Sequence, residues 1–186
     1  MTSFKGQQKN EVQKKGEGLA LNWLRGEGLE CRYVGDDPKY FKSGEDIIAT
    51  LPQGKWGIDV KTDQKAMTNE YVNNAVVELI EIAPRDEQKQ ELIKPGWYYH
   101  WKVGEIYYII WATKDMYICP FEALRDLVFD NDWPGFSCFH SKNEDPEEPY
   151  DYYSLGVKIP LAVMDKHFKK VSLLETINNL KRFKNG

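Results

Sequence analysis

The residues best able to carry chemistry are acids and a lysine that lie in predicted strands. Asp59 and Lys61 alternate with the apolar Ile58 and Val60, and Asp46 lies in the strand before them. Side chains of a strand point alternately to its two faces, so Asp59 and Lys61 share one face. A carboxylate and an ammonium group placed in this way form either an ordinary solvent-exposed polar face or a functional site.

The turn Pro52-Gln53-Gly54-Lys55 predicts a hairpin that joins these strands. If the turn is centred on Gln53-Gly54, Asp46 lies opposite Lys61 and diagonal to Asp59, with the two acids roughly 7–8 Å apart at Cα. Two carboxylates at that spacing can converge on one divalent cation. Oxygen ligands without His or Cys favour Mg²⁺ or Mn²⁺ over zinc. The ammonium group of Lys61 offsets part of the repulsion between the acids and can orient a water molecule.

A third acid lies in the first predicted helix. At about 100° per residue, Glu17 falls inside the apolar arc that contains Ala20, Leu21 and Leu24. An ionised carboxylate in that position is costly unless it reaches a partner. A metal site on the sheet beneath the helix is such a partner. The alternative is a glutamate at the rim of the apolar stripe that bends out into water.

Together, Glu17 in the first helix, Asp46 at the start of a strand and Asp59-x-Lys61 in the next strand resemble the PD-(D/E)XK nuclease superfamily. The helix glutamate makes the Holliday-junction-resolvase-like branch and related small phage-type nucleases the nearest likeness. The resemblance covers residues 11–82 and continues loosely to about 129, and Glu45 stands where the family name has Pro. It implies an α/β (α+β) fold that is restriction-endonuclease-like, with a mixed central β-sheet flanked by helices.

The resemblance also implies the activity and the residue roles. The activity is Mg²⁺- or Mn²⁺-dependent hydrolysis of DNA phosphodiester bonds, with an endonuclease favoured over an exonuclease. The carboxylates of Glu17, Asp46 and Asp59 and the carbonyl group of Val60 would hold the metal. Lys61 would orient the attacking water.

Three further residues are weaker candidates for the same site. Glu78 follows Asn74 and a short apolar stretch, a pattern that related small nucleases share, although an edge-strand glutamate facing water fits equally well. Asp63 has the strand parity of Lys61. Gln64 occupies a position where some family members carry a polar residue near the scissile phosphate.

Other functions stay open on the sequence alone. A catalytically inactive nucleic-acid-binding or assembly module could use the same fold, and an RNA-processing nuclease could use the same chemistry. The residues themselves do not distinguish an endonuclease from an exonuclease. Small members of the resembling family often dimerise, so a homodimer is a further alternative, although no interface is visible in the sequence.

The composition is that of an ordinary globular chain of 186 residues, 41% hydrophobic and 29% charged, with a net charge of −4. This charge excludes a generally basic nucleic-acid coat protein but not a nuclease, because net charge averages over unlike faces. Both ends are basic, whereas positions 143–151 hold five acids and no Lys or Arg. Three widely spaced cysteines, a polar beginning and no long apolar run predict an intracellular, cytoplasmic and reduced protein without a membrane span.

The helices and strands that must position these residues are predicted from hydrophobic periodicity and turn signals. Together they indicate one domain over 1–186, with its motif core at 11–82. Two segments are predicted to lack strands: 85–94, as a short helix or loop, and 130–149, as an acidic loop. Helices are predicted over 11–25, after Pro120 and, capped by Asp165, over 165–183. Strands are predicted at 29–33, 46–51, 56–62, 75–82, 105–112, 116–119 and 153–159.

Overall fold

The computed structural model describes residues 4–40, 43–63, 73–84, 91–95, 103–129, 137–143 and 152–184. Within these ranges the chain forms helices and two β-sheets. The helices are α1 (Phe4–Gly26), α2 (Phe121–Phe129), α3 (Leu161–His167) and α4 (Leu174–Lys184). The strands are β1 (Glu30–Tyr33), β2 (Ile47–Leu51), β3 (Gly54–Asp63), β4 (Asn74–Pro84), β5 (Glu91–Pro95), β6 (Glu105–Ile110), β7 (Asp115–Pro120), β8 (Ser137–Asn143), β9 (Tyr152–Pro160) and β10 (Lys169–Ser172).

The central sheet has the strand order β1-β2-β3-β6-β7-β10. Strand β3 pairs in parallel with β6, while the other neighbours in the sheet are antiparallel. The sheet is therefore mixed but mostly antiparallel, and helices flank it. This confirms the predicted α/β (α+β) class with a mixed central sheet.

The second sheet has the order β5-β4-β9-β8, and all of its strand pairs are antiparallel. The chain enters it after β3 and returns to the central sheet at β6, which is why β3 and β6 can run parallel. A β-bulge interrupts the pairing of β4 with β9 between Glu78 and Ile80.

The two faces of the central sheet bury different partners. On one face, Ala20 and Leu24 of α1 belong to a buried cluster with Ile58 and Val60 of β3. The other face carries a second cluster that includes residues of α2, α3 and the second sheet. Ile58 and Val60 belong to the cluster with α1, so the alternation along β3 places Asp59 on the opposite face of the strand.

Three sequence-based element predictions are wrong in part. Positions 91–95 form β5, and 137–143 form β8 inside the segment predicted as an acidic loop. Both are edge strands of the second sheet, each paired on one side only, and the polar residues that precede or follow them in the sequence concealed them. Residues 85–90, 130–136 and 144–151 lie outside the described part of the chain.

The predicted C-terminal helix over 165–183 is also wrong at its beginning. Asp165 lies inside α3, where its carboxylate accepts a hydrogen bond from the Tyr117 hydroxyl at 2.9 Å, and caps no later helix. Strand β10 separates α3 from α4, because Phe168 turns extended and Lys169–Ser172 pair with β7. None of the described helices is long and apolar enough to cross a membrane.

Candidate functional site

The candidate site lies where β2 and β3 diverge. Their antiparallel pairing ends at Ile47 and Ile58, yet β3 continues to Asp63 while still paired with β6 on its other side. The backbone groups of β3 beyond this fork therefore need partners other than a strand. The first partner is Asp46, which donates its own N–H to the carbonyl oxygen of Ile58 and accepts the Val60 N–H at 2.8 Å through Oδ2.

The hairpin register differs from the predicted one. Leu51 pairs with Gly54, so the turn is centred on Pro52-Gln53. Asp46 therefore does not lie opposite Lys61, and that prediction is wrong. The reason is Gly54, which takes a φ of 135° at the end of the turn instead of forming its centre.

Asp59 is the most deeply buried acid of the site, with 1% of its surface exposed. Its Oδ1 lies 2.9 Å from Nζ of Lys61, on the face that the sequence predicted the two to share. Within the described part of the chain, Oδ2 of Asp59 is buried without a hydrogen-bond partner. Buried carboxylate oxygens are rarely left open, since each costs its desolvation energy. The open Oδ2 is therefore the strongest indication of a missing ligand.

The pKa values of Asp46 and Lys61 are both raised, for different reasons. Burial raises the pKa of the Asp46 carboxyl to about 8, with a further contribution from the negative charge of Asp59. Burial also disfavours the Lys61 ammonium, but the charges of Asp59, Asp46 and Glu17 outweigh it and raise the pKa of Lys61 above its usual value. Lys61 therefore keeps its proton at neutral pH, and the Asp46 carboxyl also holds a proton there, which a cation bound beside Asp59 would displace.

Glu17 is directed inward, so the alternative in which it bends into water is wrong. Only 6% of its surface is exposed. Its Oε1 accepts a hydrogen bond from Gln13 Nε2 at 2.9 Å, and its Oε2 accepts one from the Tyr33 hydroxyl at 2.8 Å. The charge of Glu17 contributes to the pKa shifts of both Asp46 and Lys61, which places it in the same electrostatic cluster.

Gln13 is a member of the site that the sequence analysis missed. Its Oε1 accepts the Thr62 N–H at 3.1 Å, and its Nε2 donates to the Val60 carbonyl oxygen as well as to Glu17. The available signal was the spacing of four residues between Gln13 and Glu17, which places both side chains on one helix face.

Gly16 explains how α1 comes so close to β3. A Cβ atom at position 16 would lie 2.0 Å from Oγ1 of Thr62, far inside any real contact distance. Glycine at this position therefore permits the approach that brings the Gln13 amide within reach of the β3 backbone.

The three weaker candidates do not converge in the same way. Asp63 accepts a hydrogen bond from the hydroxyl of buried Tyr108, which also accepts the N–H of Val76 in β4. Glu78 lies in β4, which pairs with β9 in the second sheet and not with β3. Gln64 lies outside the described residues.

The donor set fits a hard divalent cation in its chemistry. Asp46 and Asp59 supply carboxylate oxygens, one of which is open and buried, and Glu17 and the Val60 carbonyl supply two more oxygens. Across the described residues, however, no three acidic, His or Cys side chains form a group that could hold a metal. The oxygens of Glu17 and Val60 are instead bridged by the Gln13 amide.

No protein-family model matches the chain, and no curated protein or solved structure is significantly similar to it. A functional conclusion therefore rests on the fork between β2 and β3. That fork contains a buried acid with an open oxygen, a charged lysine bonded to it, and two further acids.

Proposed function

We propose that the protein is a divalent-metal-dependent nuclease of the PD-(D/E)XK type that hydrolyses phosphodiester bonds of DNA. The observation that carries this proposal is the open, buried Oδ2 of Asp59, beside Asp46 and on the carboxylate that binds Lys61. Burial and Asp59 raise the pKa of Asp46 while Lys61 lowers it, so the Asp46 carboxyl holds a proton at neutral pH that a bound cation would displace. A cation site needs both acids.

In this proposal Asp46 and Asp59 hold Mg²⁺ or Mn²⁺, with Glu17 and the carbonyl oxygen of Val60 as further ligands. The bound ion would stabilise the negative charge that develops on the phosphoryl oxygens and on the leaving 3′ oxygen. Lys61, whose Nζ lies 2.9 Å from Oδ1 of Asp59, would orient the attacking water.

The charge of the chain ends supports a nucleic-acid substrate. Residues 1–16 hold four lysines and one glutamate, and residues 166–186 hold six Lys or Arg and one glutamate. The side chains of such basic segments can contact successive phosphates, and such contacts weaken with salt.

The decisive experiment measures cleavage of plasmid DNA with Mg²⁺ and with EDTA. We expect metal-dependent cleavage by the wild type and a loss of at least about 100-fold in Asp59→Asn and Lys61→Ala, because each removes a group from the reacting centre. Asp126→Asn and Lys55→Ala are matched controls, since both side chains are exposed and lie away from the fork. Metal-dependent cleavage that survives Asp59→Asn would contradict the proposal.

The same assay separates the alternatives. Cleavage of closed circular DNA identifies an endonuclease, whereas cleavage of linear DNA alone identifies an exonuclease. Cleavage of RNA in preference to DNA would favour RNA processing. A folded wild type that binds no Mg²⁺ and cleaves neither nucleic acid would favour a non-catalytic module on this fold.

A further inference from the structure

Gln13 makes more contacts to the fork than any role in helix packing requires. One amide group joins three polar atoms from two elements: the Thr62 N–H, the Val60 carbonyl oxygen and the Glu17 carboxylate. Two of these three atoms are oxygens that the proposed function assigns to a metal ion.

The orientation of the amide follows from its partners. The Thr62 N–H is only a donor, so it must face the amide oxygen of Gln13. The amide nitrogen is thereby directed at the Val60 carbonyl and at Oε1 of Glu17, which is 2.9 Å away. Both are acceptors, and the nitrogen has two hydrogens with which to satisfy them.

We propose that Gln13 is a positioning residue whose amide nitrogen stands in for a cation between Glu17 and Val60, and that a cation must displace it to bind both oxygens. The inference rests on the proposed function. Until a cation competes for them, the amide satisfies two of the oxygens that the proposed ligand set requires.

A stand-in of this kind makes the metal-free protein stable at the expense of cation affinity. Removing the amide would leave the two oxygens to water, which a cation displaces more readily than a held side chain. Glu17 would keep its place, because the Tyr33 hydroxyl still donates to Oε2 at 2.8 Å. Loss of Gln13 should therefore tighten cation binding.

Two variants test the proposal. Gln13→Ala removes the amide. Gln13→Glu is nearly isosteric: one carboxylate oxygen can still accept the Thr62 N–H, while the other replaces a donor with a negative charge facing Glu17 and Val60. Gln53→Glu, in the exposed hairpin turn, is the matched control for the added charge.

Mn²⁺ binding is measured by calorimetry and thermal unfolding is followed without metal, both in the full chain. We expect Gln13→Ala and Gln13→Glu to bind Mn²⁺ at least about tenfold more tightly than the wild type, or ~1.4 kcal/mol. We also expect Gln13→Glu to unfold at a lower temperature without metal and to recover with Mn²⁺. Gln53→Glu should match the wild type in both measurements.

The outcomes separate this inference from the proposed function. If the wild type binds Mn²⁺ and both variants bind it equally or more weakly, the stand-in role is overturned and the metal site is retained. If only the Gln13 variants bind Mn²⁺, and Asp59→Asn abolishes that binding, the stand-in is supported and the wild-type chain is not a metal enzyme under those conditions. If no variant binds Mn²⁺, both proposals are wrong.

Discussion

Asp46→Asn gives the sharpest test of the electrostatics at the fork, because it needs neither a substrate nor a metal. In the wild type, burial and the charge of Asp59 raise the pKa of Asp46 to about 8, compared with 3.8 for an ordinary aspartate. Between those two pH values the folded state holds a proton that the unfolded state has lost. The stability of the metal-free wild type therefore falls as the pH rises from about 4 to about 8 and levels off above that.

The size of the effect follows from the same shift. The difference between a pKa of about 8 and one of 3.8, at about 1.36 kcal/mol for each tenfold change in the ionisation constant, sets a ceiling near 6 kcal/mol. Water reaches the partly exposed Asp46 carboxylate and screens its interactions, so we expect about 2 kcal/mol. Asparagine removes this cost and keeps an oxygen that can accept the Val60 N–H. The metal-free variant should equal the wild type near pH 4 and exceed its stability by about 2 kcal/mol near pH 8.

The assay is urea unfolding in EDTA at several pH values, with Asp126→Asn as an exposed control that should match the wild type at each of them. Adding Mg²⁺ at pH 8 should then stabilise the wild type but not Asp46→Asn, because binding to the folded state alone contributes about 2.7 kcal/mol at 100 times the dissociation constant. A variant that is less stable than the wild type at pH 8 in EDTA would refute this account, since Asp46 would then not be opposed by a neighbouring charge.

Two further substitutions test the packing and the ion pair. Gly16→Ala should lower the free energy of unfolding by more than about 2 kcal/mol, because the new Cβ would lie 2.0 Å from Oγ1 of Thr62. This loss outweighs the better helix propensity of alanine. Gly18→Ala is the control: nothing lies within 4 Å of its Cβ, so it should be neutral or stabilising by up to about 1 kcal/mol. Lys61→Met should lower the free energy of unfolding by about 2–4 kcal/mol, because it leaves the buried Asp59 carboxylate without its ion-pair partner. Adding Asp59→Asn should restore most of that stability. If the effects of the two substitutions simply add in the same unfolding assay, the pairing is contradicted.

The sequence predicted the first helix and the hairpin strands because their apolar periodicities are clear, whereas the mixed central sheet was an implication of the family resemblance. It predicted the shared face of Asp59 and Lys61 for the same reason, since alternation along a strand does not depend on its neighbours. The register of the hairpin depended on the turn, where Gly54 fits either the centre or the end. Strands β5 and β8 could not be predicted from periodicity, because an edge strand is defined by the partner it meets.

Gln13 could not be assigned a role from sequence, because that role depends on where β2 leaves β3. A glutamine four residues before a glutamate is common in helices. It becomes informative only when the Val60 carbonyl and the Thr62 N–H have lost a strand partner on that side. Gly16 carries the complementary signal, since its close approach to Thr62 is visible only once the helix lies on the sheet.

The divergence of the two strands links stability and chemistry at this site. A continuous hairpin would satisfy the backbone of β3 with the backbone of β2 and would leave no reason for Asp46 or Gln13 to contact Val60. Because the strands part after Ile58, side chains take over these hydrogen bonds and are thereby held next to Asp59. The side chains that complete the fold at the fork are then the same ones that would meet a cation. Substitutions there alter stability and metal affinity together, so loss of activity alone does not identify a ligand. A variant that loses stability while it gains metal affinity, as expected for Gln13→Glu, distinguishes an effect on the metal site from an effect on folding.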